Sequence, residues 1–459
     1  MLKSHPIGYI FSRQSNVLYM SYEHQAAIRI RNFPEEMFDF FMTIRYICRL
    51  IKTIKLMFSS LKTYLAAVLA IVIAAGAQSC DGKKDTTPIQ SEQEKNPEEK
   101  PEEKPGENPG ENPGENPGEN PGENPGEDSK TYTDLSQHGT ANCYVISTQG
   151  DYKFKAVKGN TNESAGKVNS VEVLWESFGT DTQPDTGDII ASASFEDGYI
   201  RFSTPDISSE PLKEFPKGNA VIAAKGPDGK ILWSWHIWSA DFGEQVYFNN
   251  AGTLMDRNLG AVSAKPGDVG SLGLMYQWGR KDPFMGAASI SEKVQAVSTG
   301  NWSVDSESVP QEELHQYLTE NPTAFFTGEY HLPEDSWGAA KTMNDPCPAG
   351  WKIPVGKEDG VWAKASGSKD RFNMTYDETN KGINFSGKFG NDSMIWYPAS
   401  GNLSSSTGRL CDVGINGLYW SASADSYNAY EFQFSTTGYV GLDRYCRYHH
   451  GGAVRCIKE

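Results

Sequence analysis

Two cysteines far apart in the chain, Cys347 and Cys456, constrain its folding more than any other feature of the sequence. Cys347 sits in Asp345-Pro-Cys-Pro-Ala-Gly-Trp-Lys-Ile-Pro354, and Cys456 lies three residues before Glu459. A disulfide between them would close a loop of about a hundred residues, worth about 4–5 kcal/mol on chain-entropy grounds. Between them stand Trp396-Tyr397, Tyr419-Trp420 and Tyr445-Cys-Arg-Tyr-His-His450, an aromatic and hydrogen-bonding inventory suited to a small β-rich domain. Of the other cysteines that would follow Cys80 in an exported chain, Cys411 and Cys446 are expected to form a second pair, leaving Cys143 free and buried.

The upstream sequence reads as apparatus for displaying such a domain. The 459 residues suggest two or three domains, but residues 1–130 offer little that can pack. Residues 1–56 are mildly basic, carry isolated apolar runs such as Phe38-Asp-Phe-Phe-Met42, and show no sustained period. Met57 opens a more legible segment: Lys62, an apolar run from Tyr64 to Ala75, then Gly76-Ala-Gln-Ser-Cys80. That layout is a secretory signal over 57–80, and its end resembles a bacterial lipobox, with Cys80 the lipidated first residue of the mature chain. Gln78 departs from the usual small residue there. A signal starting so far inside the chain implies that 1–56 is a mis-called extension and Met57 the initiator.

Residues 81–130 form a disordered tether by composition. The repeat Pro-Gly-Glu-Asn runs from Pro105 to Glu127, with almost no apolar side chain to bury. Proline stiffens such a segment and like charges extend it. It carries 15 acidic and 6 basic side chains, more than half of the chain's net charge of −17. An acidic chain lacks the clustered Lys and Arg that nucleic acid or an anionic membrane surface requires, so the charge is read as serving solubility.

The first folded segment, 131–245, reads as a β-sandwich. Short alternating runs recur at Asn142–Ile146, Tyr152–Ala156, Val171–Trp175 and Tyr199–Phe202. The clearest unit is a hairpin, Ala220–Ala224 and Ile231–Trp238, around Lys225-Gly-Pro-Asp-Gly-Lys230. Alternation puts Trp233, Trp235 and Ile237 on one face and Leu232, His236 and Trp238 on the other. Core and interdomain packing account for these tryptophans, and His236 reads as a structural histidine. From Val246 onward glycine-rich loops carry bulky aromatics, and Ser308 is expected to cap a helix from Val309 to Leu318.

Several of these elements resemble the Fibrobacter-succinogenes-major-paralogous (FISUMP) domain of surface and secreted proteins of the Bacteroidetes and Fibrobacteres. They are Met255-Asp-Arg-Asn-Leu259, Met275-Tyr-Gln-Trp278, Cys347-Pro-Ala-Gly-Trp-Lys-Ile-Pro354, Tyr419-Trp-Ser-Ala-Ser423 and Gly452-Ala-Val-Arg-Cys456. The resemblance covers about 246–459, and Gly139-Thr-Ala-Asn-Cys-Tyr144 looks like the module that accompanies it. It implies a mostly β, partly α fold similar to C-type lectins, with a short twisted sheet, one or two helices and long loops stapled at the base. Gly356-Lys-Glu-Asp-Gly360 departs from the family's helix after the Ile-Pro step and predicts a short one.

The resemblance carries no catalytic activity. Tyr445-Cys-Arg-Tyr448 echoes the redox segment of formylglycine-generating enzymes, but the second cysteine that chemistry needs would stand at position 441, which is Gly. His449-His450 has no acidic or histidine partner at ligand spacing, so neither metal nor cofactor is expected. The sequence therefore reads as a lipid-anchored outer-membrane protein for binding or adhesion, its partner a glycan, a host surface or another envelope protein. The alternatives are an assembly part such as a minor fimbrial tip subunit and, more weakly, an enzyme. In folds of this type the loops opposite the base carry binding groups, here Trp396, Tyr397, Asp412, Tyr427, Tyr445 and His449. Lipid labelling of the expressed protein is expected to vanish in Cys80→Ser; labelling that survives refutes the anchor.

Overall fold

The computed structural model of the protein describes residues 8–12, 17–22, 26–31 and 130–459, apart from 209–213, 292–294, 301, 329–331, 334, 368–371, 387–393 and 427. Gly8–Ser12, Val17–Tyr22 and Ala26–Arg31 make an antiparallel three-stranded sheet of their own. That meander went unread in the sequence, where no sustained period marks it. Cys80, the signal segment and the tether lie outside the described residues. From 130 onward the chain is mostly β, with several mixed sheets and few short helices.

The hairpin forms as its alternation requires. Gly218–Lys225 and Ile231–Ser239 pair antiparallel, with Ala220 opposite Ile237 and Ile222 opposite Trp235. Ser170–Ser177 joins one side and Cys143–Ile146 lies parallel on the other. A second four-stranded sheet holds Thr133–Asp134, Asp151–Lys155, Tyr199–Ser203 and Ser192–Glu196. The two sheets share one core, in which Trp233, Trp235 and Ile237 meet Phe154, Ile200 and Phe202. The opposite face of the hairpin is buried too. Trp238 packs there with Cys143, Trp175, Trp278, Trp337 and Trp420, so one hydrophobic cluster runs from the first half of the chain into the second.

In the second half the central sheet runs, in spatial order, Phe372–Asn373, Tyr439–Arg447, Asn428–Ser435, Asn416–Ala424, Gly451–Ala453, Asn402–Leu403 and Leu410–Cys411, with Met275–Gln277 paired to Gly451–Ala453. A smaller sheet sets Ile457–Lys458 between Gly252–Met255 and Trp351–Lys352. This brings Cys456 to Cys347, and the two form a disulfide with Cα atoms 6.0 Å apart across 109 residues.

Two expectations need correction. Cys411 and Cys446 are free thiols. Their strands have four others between them in the central sheet, whereas a disulfide needs Cα atoms within about 7 Å. The helix after Ser308 runs Leu314–Glu320 instead of starting at Val309; Pro310 belongs to a turn whose carbonyl accepts Glu313 N–H. The helix after the Ile-Pro step is short, as Gly360 predicts. It spans Val361–Ser366, starts directly after Gly360, and ends at Gly367 in the left-handed region at φ 63°.

The halves are stitched as well as packed. Asn142 Nδ2 donates to the carbonyls of Met343 and Asp345 at 2.7 and 2.9 Å, while its Oδ1 accepts from Trp233 Nε1. At Gly159, φ +53°, a Cβ would lie 2.2 Å from Met343 O, so only glycine permits that approach. Replacing Cys347 and Cys456 by alanine is expected to cost about 2–5 kcal/mol. Because one core joins both halves, tryptophan fluorescence and circular dichroism should report a single unfolding transition; two separated transitions would contradict the shared core.

Candidate functional site

The residues expected on one ligand face are dispersed. Trp396 and Tyr397 lie buried in the strand Trp396–Pro398. Tyr397 hydroxyl bonds Tyr247 hydroxyl at 2.6 Å and accepts from Trp362 Nε1 at 2.9 Å, and its ring carries the Arg455 guanidinium at 3.9 Å. Both aromatics belong to the core. Asp412 follows the strand at the far end of the central sheet, held in the left-handed region at φ 59°. Tyr427 lies outside the described residues. His449 is half-buried, stacks on His450, and its carbonyl accepts from Gln277 Nε2.

Tyr445 alone is strongly exposed, at 62% of its surface. On the neighbouring strand Tyr430 stands opposite it, the rings edge to face at 6.3 Å. Lys357 lies over the Tyr430 ring at 4.2 Å, and Tyr430 hydroxyl donates to Asp425. Arg447, two residues on, shares the Tyr445 face, while Arg444 lies on the opposite face; both are exposed and without an ion pair among the described residues. Among the described residues, the strand that carries them is paired beyond Tyr439 and Val440 on one side only.

Beneath this surface Glu431 is 2% exposed, opposite Arg444, and its Oε2 has no hydrogen-bond partner. Burial lifts its carboxyl to about 8, against the pull of Arg444. Cys446 lies two residues beyond Arg444 on the same strand, and burial and then Glu431 push its thiol up. A thiol held protonated is a poor nucleophile.

A separate cleft of about 630 Å³ opens where the hairpin meets the second half of the chain. Ile231, Leu232 and Trp233 form one wall; helix Leu314–Glu320 and the segment 335–344 form the other. The walls are tied by Lys230 Nζ to Glu320 at 2.8 Å and by Asn160 Nδ2 to Lys341 O at 2.9 Å. His315 Nε2 lies 3.4 Å from both Ser336 Oγ and Asn344 Nδ2. Burial holds its imidazole below the ordinary value, against the pull of Asp335. Behind the wall Lys281, Asp282 and Ser234 form a buried cluster, with Lys281 Nζ 2.6 Å from both partners and 4.6 Å over the Trp233 ring. His236 is buried and bonded to Asn219, as a structural histidine should be. Sequence reading did not find this cleft, because its walls come from segments more than eighty residues apart and carry no motif.

Among the described residues no group of three His, Cys, Asp or Glu side chains is placed to hold a metal ion. Comparison with models of protein families, with curated proteins and with solved structures finds no match to this chain.

Glu431 makes a testable pH dependence. Its folded value is raised from about 4.5 to about 8, so the fold is penalised increasingly as pH rises through that window and fully above it. Glu431→Gln is expected to match the wild type at pH 4 and exceed its stability at pH 8 by on the order of 4 kcal/mol. Urea titrations at the two pH values measure the difference; an equal gap at both would remove the carboxyl as its source.

Proposed function

We propose that this protein is a lipid-anchored binding or adhesion protein of the outer membrane, whose C-type-lectin-like second half, of FISUMP type, rests on a β-sandwich and meets its partner through the Tyr445 surface. The single observation that carries the reading is the Tyr445 ring, a large aromatic side chain 62% exposed on a strand of the central sheet. Folding gains nothing from that exposure, whereas exposed tyrosine and arginine are the residues that dominate contact energies at interfaces. Tyr430, Lys357 and Arg447 around it offer stacking, cation and hydrogen-bonding groups for a glycan or a protein surface.

The buried packing of Trp396 and Tyr397 moves this reading away from the remaining loops. Assembly by strand donation finds less support, because the first-half core is filled by its own Phe154, Ile200 and Ile237, each fully buried. The protonated state of Cys446 and the glycine at position 441 support binding over redox chemistry.

A glycan array and a cell-binding assay with the full-length protein test the proposal. Tyr445→Ala and Arg447→Glu are each expected to weaken binding about tenfold or more, as a central contact residue does, with melting temperature unchanged. Binding that both variants leave intact would move the contact surface elsewhere.

A further inference from the structure

We propose that the cleft between the hairpin and helix Leu314–Glu320 is a second, independent ligand site, built for a small uncharged saccharide unit. Its volume of about 630 Å³ lies within the range of small-molecule sites. Ile231, Leu232 and Met343, all half-buried, give it an apolar floor. Thr319, Ser336 and Asn344 line the same space; the Thr319 hydroxyl donates to His315 O and keeps its lone pairs for a ligand. An apolar floor under closely spaced neutral donors and acceptors matches a sugar ring, which has C–H faces and a hydroxyl edge.

The charges narrow the class. Two ionic residues of the lining are already paired, Lys158 with Glu163 and Glu320 with Lys230. Asp335 is exposed and makes no ion pair among the described residues. Its carboxylate disfavours an anion and offers acceptor oxygens to the hydroxyls of a ligand. Lys281 already occupies the Trp233 ring at 4.6 Å, so that aromatic face is not open to a ligand cation. His315 is neutral near pH 7 because burial lowers it. Its Nε2 lies 3.4 Å from Asn344 Nδ2. The site is held before a ligand arrives: Trp337 Nε1 bonds Asn344 O at 2.9 Å, and Thr342 Oγ1 bonds Ser336 O at 2.7 Å.

Saturation-transfer NMR on the full-length protein tests the site, with lactose, cellobiose and chitobiose as neutral probes and glucosamine and glucuronic acid as charged ones. At least one neutral disaccharide is expected to bind. Thr319→Trp, which fills the cleft, should abolish that binding, and Asp335→Asn should weaken it about fivefold or more, the loss expected for a charged hydrogen-bond acceptor. Melting temperatures check that both variants fold; Asp335→Asn alone decides if Thr319→Trp does not. Transfer to none of the neutral probes, preference for either charged sugar, or affinity unchanged in Asp335→Asn overturns the proposal. Tyr445→Ala is expected to leave disaccharide binding intact. Loss in that variant would place the sugar on the outer sheet face and overturn the assignment, while survival keeps this site separate from the adhesive surface.

Discussion

The carboxylate of Asp345 is the contact on which the rest of the structure depends. It is buried, and it pairs with Lys341 Nζ at 2.8 Å while accepting the backbone N–H groups of Cys347 and Ile353. Lys341 completes its own bonding with the carbonyls of Cys347 and Trp351. A buried ion pair is tolerable only when its hydrogen bonds are filled in this way. The result is a loop bent tightly enough to aim Cys347 at Cys456 and, through the Asp345 carbonyl, to dock on Asn142 of the first half. Disulfide, terminal strand and the seam between the two halves thus share one support.

A second buried cation closes the core from the other side. Arg455, next to Cys456, is 1% exposed, and among the described residues it makes no ion pair. Tyr397 offers it a ring face at 3.9 Å, and Asn258 Oδ1 accepts from its Nε and Nη2. A guanidinium keeps its charge in any such setting, so aromatic faces and amide oxygens must replace a carboxylate. That requirement accounts for Asn258 and Tyr397 being interior residues, and it removes Tyr397 from any role on the surface.

Function is left to what this framework does not consume. The aromatic inventory between the two cysteines is almost wholly spent on packing: Trp420, Tyr419, Tyr397 and Tyr448 are buried. Tyr445 escapes because alternation along Tyr439–Arg447 points it away from the face that covers Glu431. The seam cleft exists for a different reason. The hairpin and helix Leu314–Glu320 meet over a limited contact, and the polar groups lining the gap could not all be buried without partners.

Local pattern by itself determined the strands of the first half, the faces of Ile231–Ser239, the shortness of the helix beside Gly360 and the place of the disulfide. Each rests on simple rules: side chains alternate on a strand, glycines bound helices, and a closing cysteine can pair with an opening one. The same reasoning assigned Cys411 to Cys446 and set Trp396 and Tyr397 beside Tyr445, because composition says which side chains are available but not which strands become neighbours. Only the tertiary structure decided that four strands separate the two thiols, that Arg455 draws Tyr397 inward, and that His315, Asp335 and Leu232 line one space. Those outcomes follow from strand order and from the need to satisfy buried charge, both properties of the assembled chain and of no single stretch of it.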